Sequence, residues 1–332
     1  MHRLSASLKK RGLSGLLVHA LMDLAKPLQS FLIRMRDHTG SARTVGEPIV
    51  SESLIVILAG YKPRLWPLTL RRIAKYAPRS AAVCVVTAGK FDRDLEKFCG
   101  ERGWCYMSVS KNKTGLALNK AVALHPAAKW IYKIDEDVFI ADGFFDDLRA
   151  GYEYIQSEGL HNPGFCAPLL NVNGISYLTF LERIGATEDY HERFGEIRVS
   201  CSGVHAHYDP EAASWLWRRS LPFDPLARRF RQFEPSLVPD PIMIGSRFSI
   251  GAILLQRDFL DAIGGFRSTW REGILGVDES ALCVACVEQS RPMFYLRNVF
   301  AGHFSFFPQE RGMMEAWPEL EQLDPIAFSM AP

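Results

Sequence analysis

The sequence predicts an α/β fold built on a wound, largely parallel sheet, and three features carry that expectation. Short, largely apolar runs recur four times between residues 54 and 135, three of them closed by glycine or by an acidic residue. The pieces between them have the length and composition of crossover helices. An acidic triplet, Asp135-Glu136-Asp137, follows the fourth run directly, at the strand end where such sheets hold their ligands.

The elements follow in order. Residues 54–59 (Leu-Ile-Val-Ile-Leu-Ala) are apolar throughout and close on Gly60, the pattern of a strand buried on both faces. Residues 67–76 form a helix with proline in its first turn. A second strand spans 82–87 before Ala88-Gly89, and a helix spans 92–100. A third strand covers 105–109, and the helix over 116–124 stops before Pro126. The fourth strand, 130–134, runs into the acidic triplet, after which Asp142 is expected to cap a helix over 143–155. Residues 161–246 are rich in Pro, Gly, aromatics and Arg, with helical periodicity only over 175–184 and 210–219. Regularity returns with a strand over 249–255, a helix over 257–263 stopped by Gly264-Gly265, a helix from Asp278 to Val287, and a strand over 295–300 leading to His303.

With 332 residues, 48% hydrophobic and 23% charged, the chain can bury a full core without disulfides. A net charge of +2 gives no footprint for nucleic acid. The seven cysteines are scattered and set in apolar runs, as reduced core thiols of a cytosolic protein are; Cys283 and Cys286 share a helix and read as packing. No uncharged apolar stretch reaches the length of a membrane span. Residues 1–48 combine Arg3, Lys9, Lys10, Arg11, Lys26, Arg34 and Arg36 with regularly spaced leucines, a basic amphipathic helix. Such a helix suits an anionic membrane surface and suits packing against its own domain equally well. Gly40 and residues 44–48 read as a linker.

Asp135 and Asp137 alternate along extended chain and so share a face, where their oxygens suit Mg²⁺ or Mn²⁺ holding a diphosphate. His303, at the end of an apolar strand, offers an imidazole nitrogen to the same ion. Asp278 and Glu279 open a helix, where carboxylates serve as caps or, carried to a site by the glycine-containing loop before them, as a general base. His205-Ala-His207 reads better as a surface loop than as a second metal site. Arg218-Arg219 and Arg228-Arg229-Phe-Arg231 fit phosphate contacts and solvated helix faces alike. Gly60-Tyr-Lys-Pro-Arg64 is a poor phosphate loop.

In this order of motifs the chain resembles the family-2 inverting glycosyltransferases of GT-A fold over roughly residues 53–305. Residues 54–58 stand at that family's first nucleotide-binding strand, and Asn112, Gly115 and Asn119-Lys120 echo its Asn-Gly and terminal Asn pattern. Asp135-Glu136-Asp137 looks like the D-x-D motif, and Ala262-Ile-Gly-Gly-Phe266 like the element preceding the catalytic acid. The resemblance implies a Rossmann-like half with a mixed sheet and an acceptor-side subdomain. It further implies a nucleotide-sugar donor held by Ala59, Tyr61, Asn112, Gly115, Asn119, Lys120 and Asp135. Mn²⁺ or Mg²⁺ then falls on Asp135, Asp137 and His303, and the catalytic acceptance of a proton on Asp278 or Glu279. Two departures stand out. Thr87-Ala-Gly-Lys90 replaces the usual acidic end of the second strand, and the QxxRW signature of processive synthases is missing, which points to transfer of a single sugar.

The expected division is 1–48 as the amphipathic segment, 49–160 as the nucleotide-sugar half, 161–310 as the acceptor and catalytic half, and 311–332 as a tail. The expected acceptor is a glycan or lipid-linked precursor of a surface polysaccharide, used in the cytoplasm or peripherally at the inner face of the membrane. A nucleotidyltransferase, and a catalytically inactive glycan-binding scaffold on the same fold, are the competing readings.

Overall fold

The computed structural model describes residues 40–199, 203–232 and 239–329, together with Leu28, Leu32, Ile33, Met35 and Asp37. Most of the amphipathic segment expected over 1–48, and Cys201, lie outside the described residues.

The centre is a mixed sheet of ten strands. β1 (Ala42–Val45), β2 (Ser53–Ala59), β3 (Ala82–Ala88), β4 (Cys105–Val109) and β5 (Trp130–Asp135) come from the first half of the chain. β6 (Val138–Phe139), β7 (Phe165–Leu170), β8 (Pro241–Ile244), β9 (Ala252–Gln256) and β10 (Met293–His303) follow. Their spatial order is β1-β4-β3-β2-β5-β9-β7-β10-β6, with β8 on the flank of β10. β4, β3, β2 and β5 are mutually parallel, as the unbroken apolar runs require of strands covered on both faces. β9 then runs antiparallel to β5, and β10 parallel to β7. The carboxyl ends of β2, β5, β7 and β10 therefore open on one edge.

Helices sit where the periodicity puts them: Trp66–Tyr76, Arg93–Gly100, Thr114–Leu124, Phe144–Ser157, Ser176–Ile184, Pro210–Arg219, Arg257–Ala262 and Val277–Glu288. Asp92 caps the second, accepting from the backbone of Asp94 and Leu95 at 3.0 and 3.2 Å. The six described cysteines are free and buried. No described helix is long and apolar enough to cross a membrane.

The described residues differ from the sequence reading in several places, among them three further helices, Thr187–Phe194, His205–Tyr208 and Phe223–Arg231, where the sequence showed no helical periodicity and His205-Ala-His207 read as a surface loop. The stretch read as linker contains β1, an exposed edge strand that pairs antiparallel with β4 and so lacks the apolar signature of a buried one. Asp142 does not cap its helix. Gly143 takes the N-cap position at φ 77°, turning the chain in a left-handed conformation. β7 was hidden by Pro168 inside it and by Pro163-Gly164 before it, residues that normally argue against a strand. Residues after 310 form a helix, Glu310–Leu323, and a turn of helix, Pro325–Phe328, rather than a tail. Phe328 is fully buried in an aromatic cluster with Phe139, Trp217, Phe304 and Trp317.

Two devices hold the site's edges in place. Lys113, fully buried, pairs with Asp37 at 2.7 Å and anchors the end of the N-terminal segment beside the helix Thr114–Leu124. Beneath the end of β10, the Trp217 indole donates to the carbonyls of His303 and Phe304 at 2.9 and 3.1 Å. Gly302 leaves room for that indole, since a Cβ there would run into the Trp217 ring and come to 2.9 Å from Phe223. Because Trp217 is held by its own hydrogen bonds it cannot retreat, and Gly302→Ala is expected to destabilise the chain by about 1–3 kcal/mol. A calorimetric melting temperature unchanged from the parent would contradict this packing account.

Candidate active site

The acidic triplet divides its labour. Glu136, the middle residue, points back into the protein, where it accepts from the backbone of Gly60 and Tyr61 at 2.8 Å each and from the Trp66 indole. Its own carbonyl accepts from Thr69 Oγ1 at 2.7 Å. Burial raises the Glu136 carboxyl above its ordinary range, and these donors work against that rise. Glu136 thereby fixes the loop after β2 against the tip of β5.

Asp135 and Asp137 face the other way, into a cleft of about 980 Å³ that opens along the carboxyl ends of the strands. Asp137 is brought to His303 by the register of β6 on β10, which pairs Val138 with His303 and Phe139 with Gly302. The Phe304 backbone N–H donates to the Asp137 carbonyl at 3.0 Å and extends that pairing by one step. The result places His303 Nε2 3.4 Å from Asp137 Oδ2. His303 Nδ1 lies 2.9 Å from the Val172 carbonyl, which can only accept, so Nδ1 carries a proton and Nε2 is the ring nitrogen turned to Asp137 and the cleft. Asn171 secures the arrangement by accepting from the backbone of His303 at 3.0 Å and of Val172 at 2.8 Å. Gly251 borders the same point: a Cβ built there would touch His303 Cδ2 at 3.7 Å and Asp135 Oδ2 at 3.9 Å.

Both aspartates carry a lysine. Lys133 reaches Asp135 Oδ1 at 2.7 Å and donates to the Ile250 carbonyl at 2.7 Å. Lys62 pairs with Asp137 Oδ2 and donates to the Ser305 carbonyl at 2.6 Å. Burial pushes Asp135 up to about 6, against the pull of Lys133 and with the help of the Asp137 charge. Burial pushes Asp137 the same way, but Lys62 and His303 outweigh it and hold this carboxyl well below the usual range. Among the described residues no group of three His, Cys, Asp or Glu side chains is arranged as an ion-coordinating cluster. Asp137 and His303 nevertheless fit a divalent ion in their chemistry, a carboxylate and an imidazole with its tautomer fixed by a carbonyl behind it.

Asp278 and Glu279 both line the cleft at the start of their helix, after a loop that turns at Gly273 (φ 72°) and Gly276 (φ 74°). Glu279 pairs with Arg247 at 2.6 Å. Asp278 is 7% exposed, and among the described residues nothing hydrogen-bonds or ion-pairs with its carboxylate. The loop is tied to Asn112, whose N–H donates to Glu272 at 2.8 Å and whose carbonyl accepts from Gly273 at 2.9 Å.

Of the residues expected to hold the donor, Tyr61, Asn112 and Asp135 line the cleft, and the Tyr61 hydroxyl bonds Asn112. Ala59 is buried behind it. Gly115, Asn119 and Lys120 do not line it. Gly115 lets the Arg267 backbone approach closely, and Asn119 accepts from the Phe266 N–H at 2.8 Å while donating to the Phe266 carbonyl at 2.7 Å. These residues form the seat of the Gly264-Gly265 turn, and Asn119 and Lys120 border a second, smaller cleft. His207 is the reverse case. Read as a surface loop residue, it lines the main cleft against Phe306, ring centres 4.4 Å apart, with its Nε2 buried and unbonded. Of the residues given no role, Lys133 and Asn171 carry no motif, whereas Lys62 belongs to a weak phosphate-loop pattern and His207 to the His205-Ala-His207 pair. Arg218, Arg219 and Arg231 of the basic patch are engaged with Glu319, Asp189 and Asp147.

No protein-family model and no curated protein sequence matches the chain. Among solved structures it is similar to the mannosyltransferase PcManGT from Pyrobaculum calidifontis in complex with GDP-Man and Mn²⁺, at 12% identity and a TM-score of 0.45, covering 92% of this chain and 72% of that one. It is also similar to GalNAc-T7 with UDP, GalNAc and Mn²⁺, at 13% identity and a TM-score of 0.43, covering 82% of this chain and 49% of that one.

Two outcomes test this geometry. Asn119→Ala removes both bonds to Phe266 and is expected to cost about 2–3 kcal/mol of stability in urea melts while nucleotide affinity changes less than about threefold. A large affinity loss at unchanged stability would make Asn119 a ligand contact. Burial, with help from His303 and Arg247, lowers the His207 pKa to about 4. The folded chain then binds fewer protons than the unfolded one between about pH 6.5 and 4, so stability falls as pH drops through that window. His207→Gln should abolish roughly 2 kcal/mol of that acid-induced loss, read from melts at pH 7 and 4.5.

Proposed function

We propose that the chain is an inverting, metal-dependent glycosyltransferase of GT-A type that moves one sugar from a nucleotide-diphosphate-sugar to an acceptor hydroxyl. The observation that carries this reading is the meeting of Asp137 and Nε2 of His303 at 3.4 Å, in a cleft whose wall also bears Asp278, unpartnered among the described residues.

Asp137 and His303, with Asp135 beside them, would hold a divalent ion, which would supply electrostatic stabilisation of the departing diphosphate. The chain's residues do the rest. Tyr61 and Asn112, at the ends of β2 and of the loop after β4, face the nucleoside part of the donor. The cleft is large enough for donor and acceptor together. Tyr208, Phe306 and Phe307 offer aromatic faces along its lining for a sugar ring. The acceptor oxygen forms the new bond to the anomeric carbon as the bond to the diphosphate oxygen breaks, and the hydroxyl proton passes to Asp278. Direct displacement inverts the anomeric centre. Glu279 is held off by its bond to Arg247, which favours Asp278 over its neighbour as the base. A glycan or lipid-linked acceptor of surface-polysaccharide synthesis suits the basic amphipathic character of residues 1–48.

Screening nucleotide sugars for hydrolysis with Mn²⁺ and with Mg²⁺ identifies the donor. With that donor, Asp278→Asn is expected to lower kcat about 10²- to 10⁴-fold at unchanged donor affinity, and Glu279→Gln less than about tenfold. The opposite ranking would assign the base to Glu279. Full activity in both variants would remove general-base catalysis from this site.

A further inference from the structure

Lys62 stands where a divalent ion would bind. Its ammonium takes the same Asp137 oxygen that His303 Nε2 faces, and it is held as well by the Ser305 carbonyl at 2.6 Å and, more loosely, the Ser305 hydroxyl at 3.5 Å. With Lys133 on Asp135, the two aspartates are matched charge for charge. A bare cation approaching this floor meets two aspartates already paired with ammonium groups, Lys62 lying in the field of Glu310 and Glu136 as well.

The two lysines are held differently. Lys133 projects from inside β5, 3% exposed, and is pinned to the Ile250 carbonyl. Lys62 lies in the loop after Gly60, whose φ is 132°; its side chain is 13% exposed and lines the cleft. Its flexible four-carbon stem can swing toward the cleft without moving a strand. A nucleotide diphosphate brings the anionic oxygens that give a displaced ammonium a new partner.

We propose that Lys62 is a tethered cation that holds the divalent ion's place while the donor is absent and turns to the diphosphate when metal and nucleotide arrive together. This rests on the metal reading of Asp137 and His303. The consequence is ordered loading. Metal alone competes with an intramolecular ammonium, whereas metal with nucleotide gives that ammonium somewhere to go.

The test is Mn²⁺ binding to the full chain, followed by calorimetry and by the electron paramagnetic resonance signal of free Mn²⁺, with and without saturating GDP or UDP. The parent should bind Mn²⁺ alone at least tenfold more weakly than with a nucleotide diphosphate. Lys62→Gln, which keeps a neutral donor for Asp137, should bind Mn²⁺ alone at least tenfold more tightly than the parent and lose most of the nucleotide dependence. Equal Mn²⁺ affinity in the parent with and without nucleotide overturns the proposal without recourse to a variant. Equal affinity of parent and Lys62→Gln, with Asp137→Asn abolishing binding, also overturns it while leaving the metal site standing. If the parent binds GDP or UDP tightly in EDTA, loses that binding in Lys62→Gln, and takes up no Mn²⁺ under any condition, Lys62 is a permanent substitute for the ion. That outcome sinks the metal reading and the tether together.

Discussion

A two-residue ladder, Val138-Phe139 against Gly302-His303, is the constraint on which the site depends. It joins positions far apart in sequence and sets them in register, so that the residue just before one strand and the last residue of the other share an edge. A shift of one residue would turn the His303 ring to the opposite face of the strand. Everything around the ladder limits that shift. Trp217 bonds the carbonyls at the end of β10, Asn171 receives the His303 N–H, and Gly302 admits the indole from below. The aromatic layer of Phe139, Trp217, Phe304 and Phe328 supports the ladder with edge and stacked contacts that exclude water. The C-terminal helix pair is part of this foundation.

On the cleft side the problem is electrostatic. Three consecutive carboxylates at the tip of a buried strand would repel one another strongly at low dielectric. The fold separates their roles by direction. Glu136 is turned inward to backbone N–H groups and an indole, while Asp135 and Asp137 are each met by a lysine. The floor is stable without a ligand, yet only one of its two lysines sits on a loop. Structural neutralisation and readiness for an anionic ligand are compatible here because the Lys62 stem is long and its anchor is not a strand.

Much of the fold was legible in the sequence. The apolar runs of β2 and β3 and the mostly apolar β4 and β5 signal strands buried on both faces, and of the helices between them Arg93–Gly100 carries an ordinary side-chain cap at Asp92. β1 was not legible because an exposed edge strand has no apolar period, and β7 because proline inside it mimics a break. The candidate site was legible in its acidic and imidazole members, since their order along the chain has a motif. Lys133 was not, because a lysine that neutralises a carboxylate from inside a strand has no local pattern, and the weak patterns around Lys62 and His207 did not say which groups those side chains meet. Asn119 lies away from the cleft and bonds Phe266 beside the Gly264-Gly265 turn.

The sequence by itself determined the parallel strands β2 to β5, where the acidic tip falls and which side chains can bind a cation or accept a proton, because periodicity and strand-end position are local properties. Only the tertiary structure decided that Asp137 and His303 meet, that Glu136 faces inward, that Asp278 rather than Glu279 is unpaired among the described residues, and that a lysine lies on the Asp137 oxygen that faces His303. Those facts depend on strand register and on charge partners drawn from distant parts of the chain, and neither leaves a trace in the spacing of nearby residues.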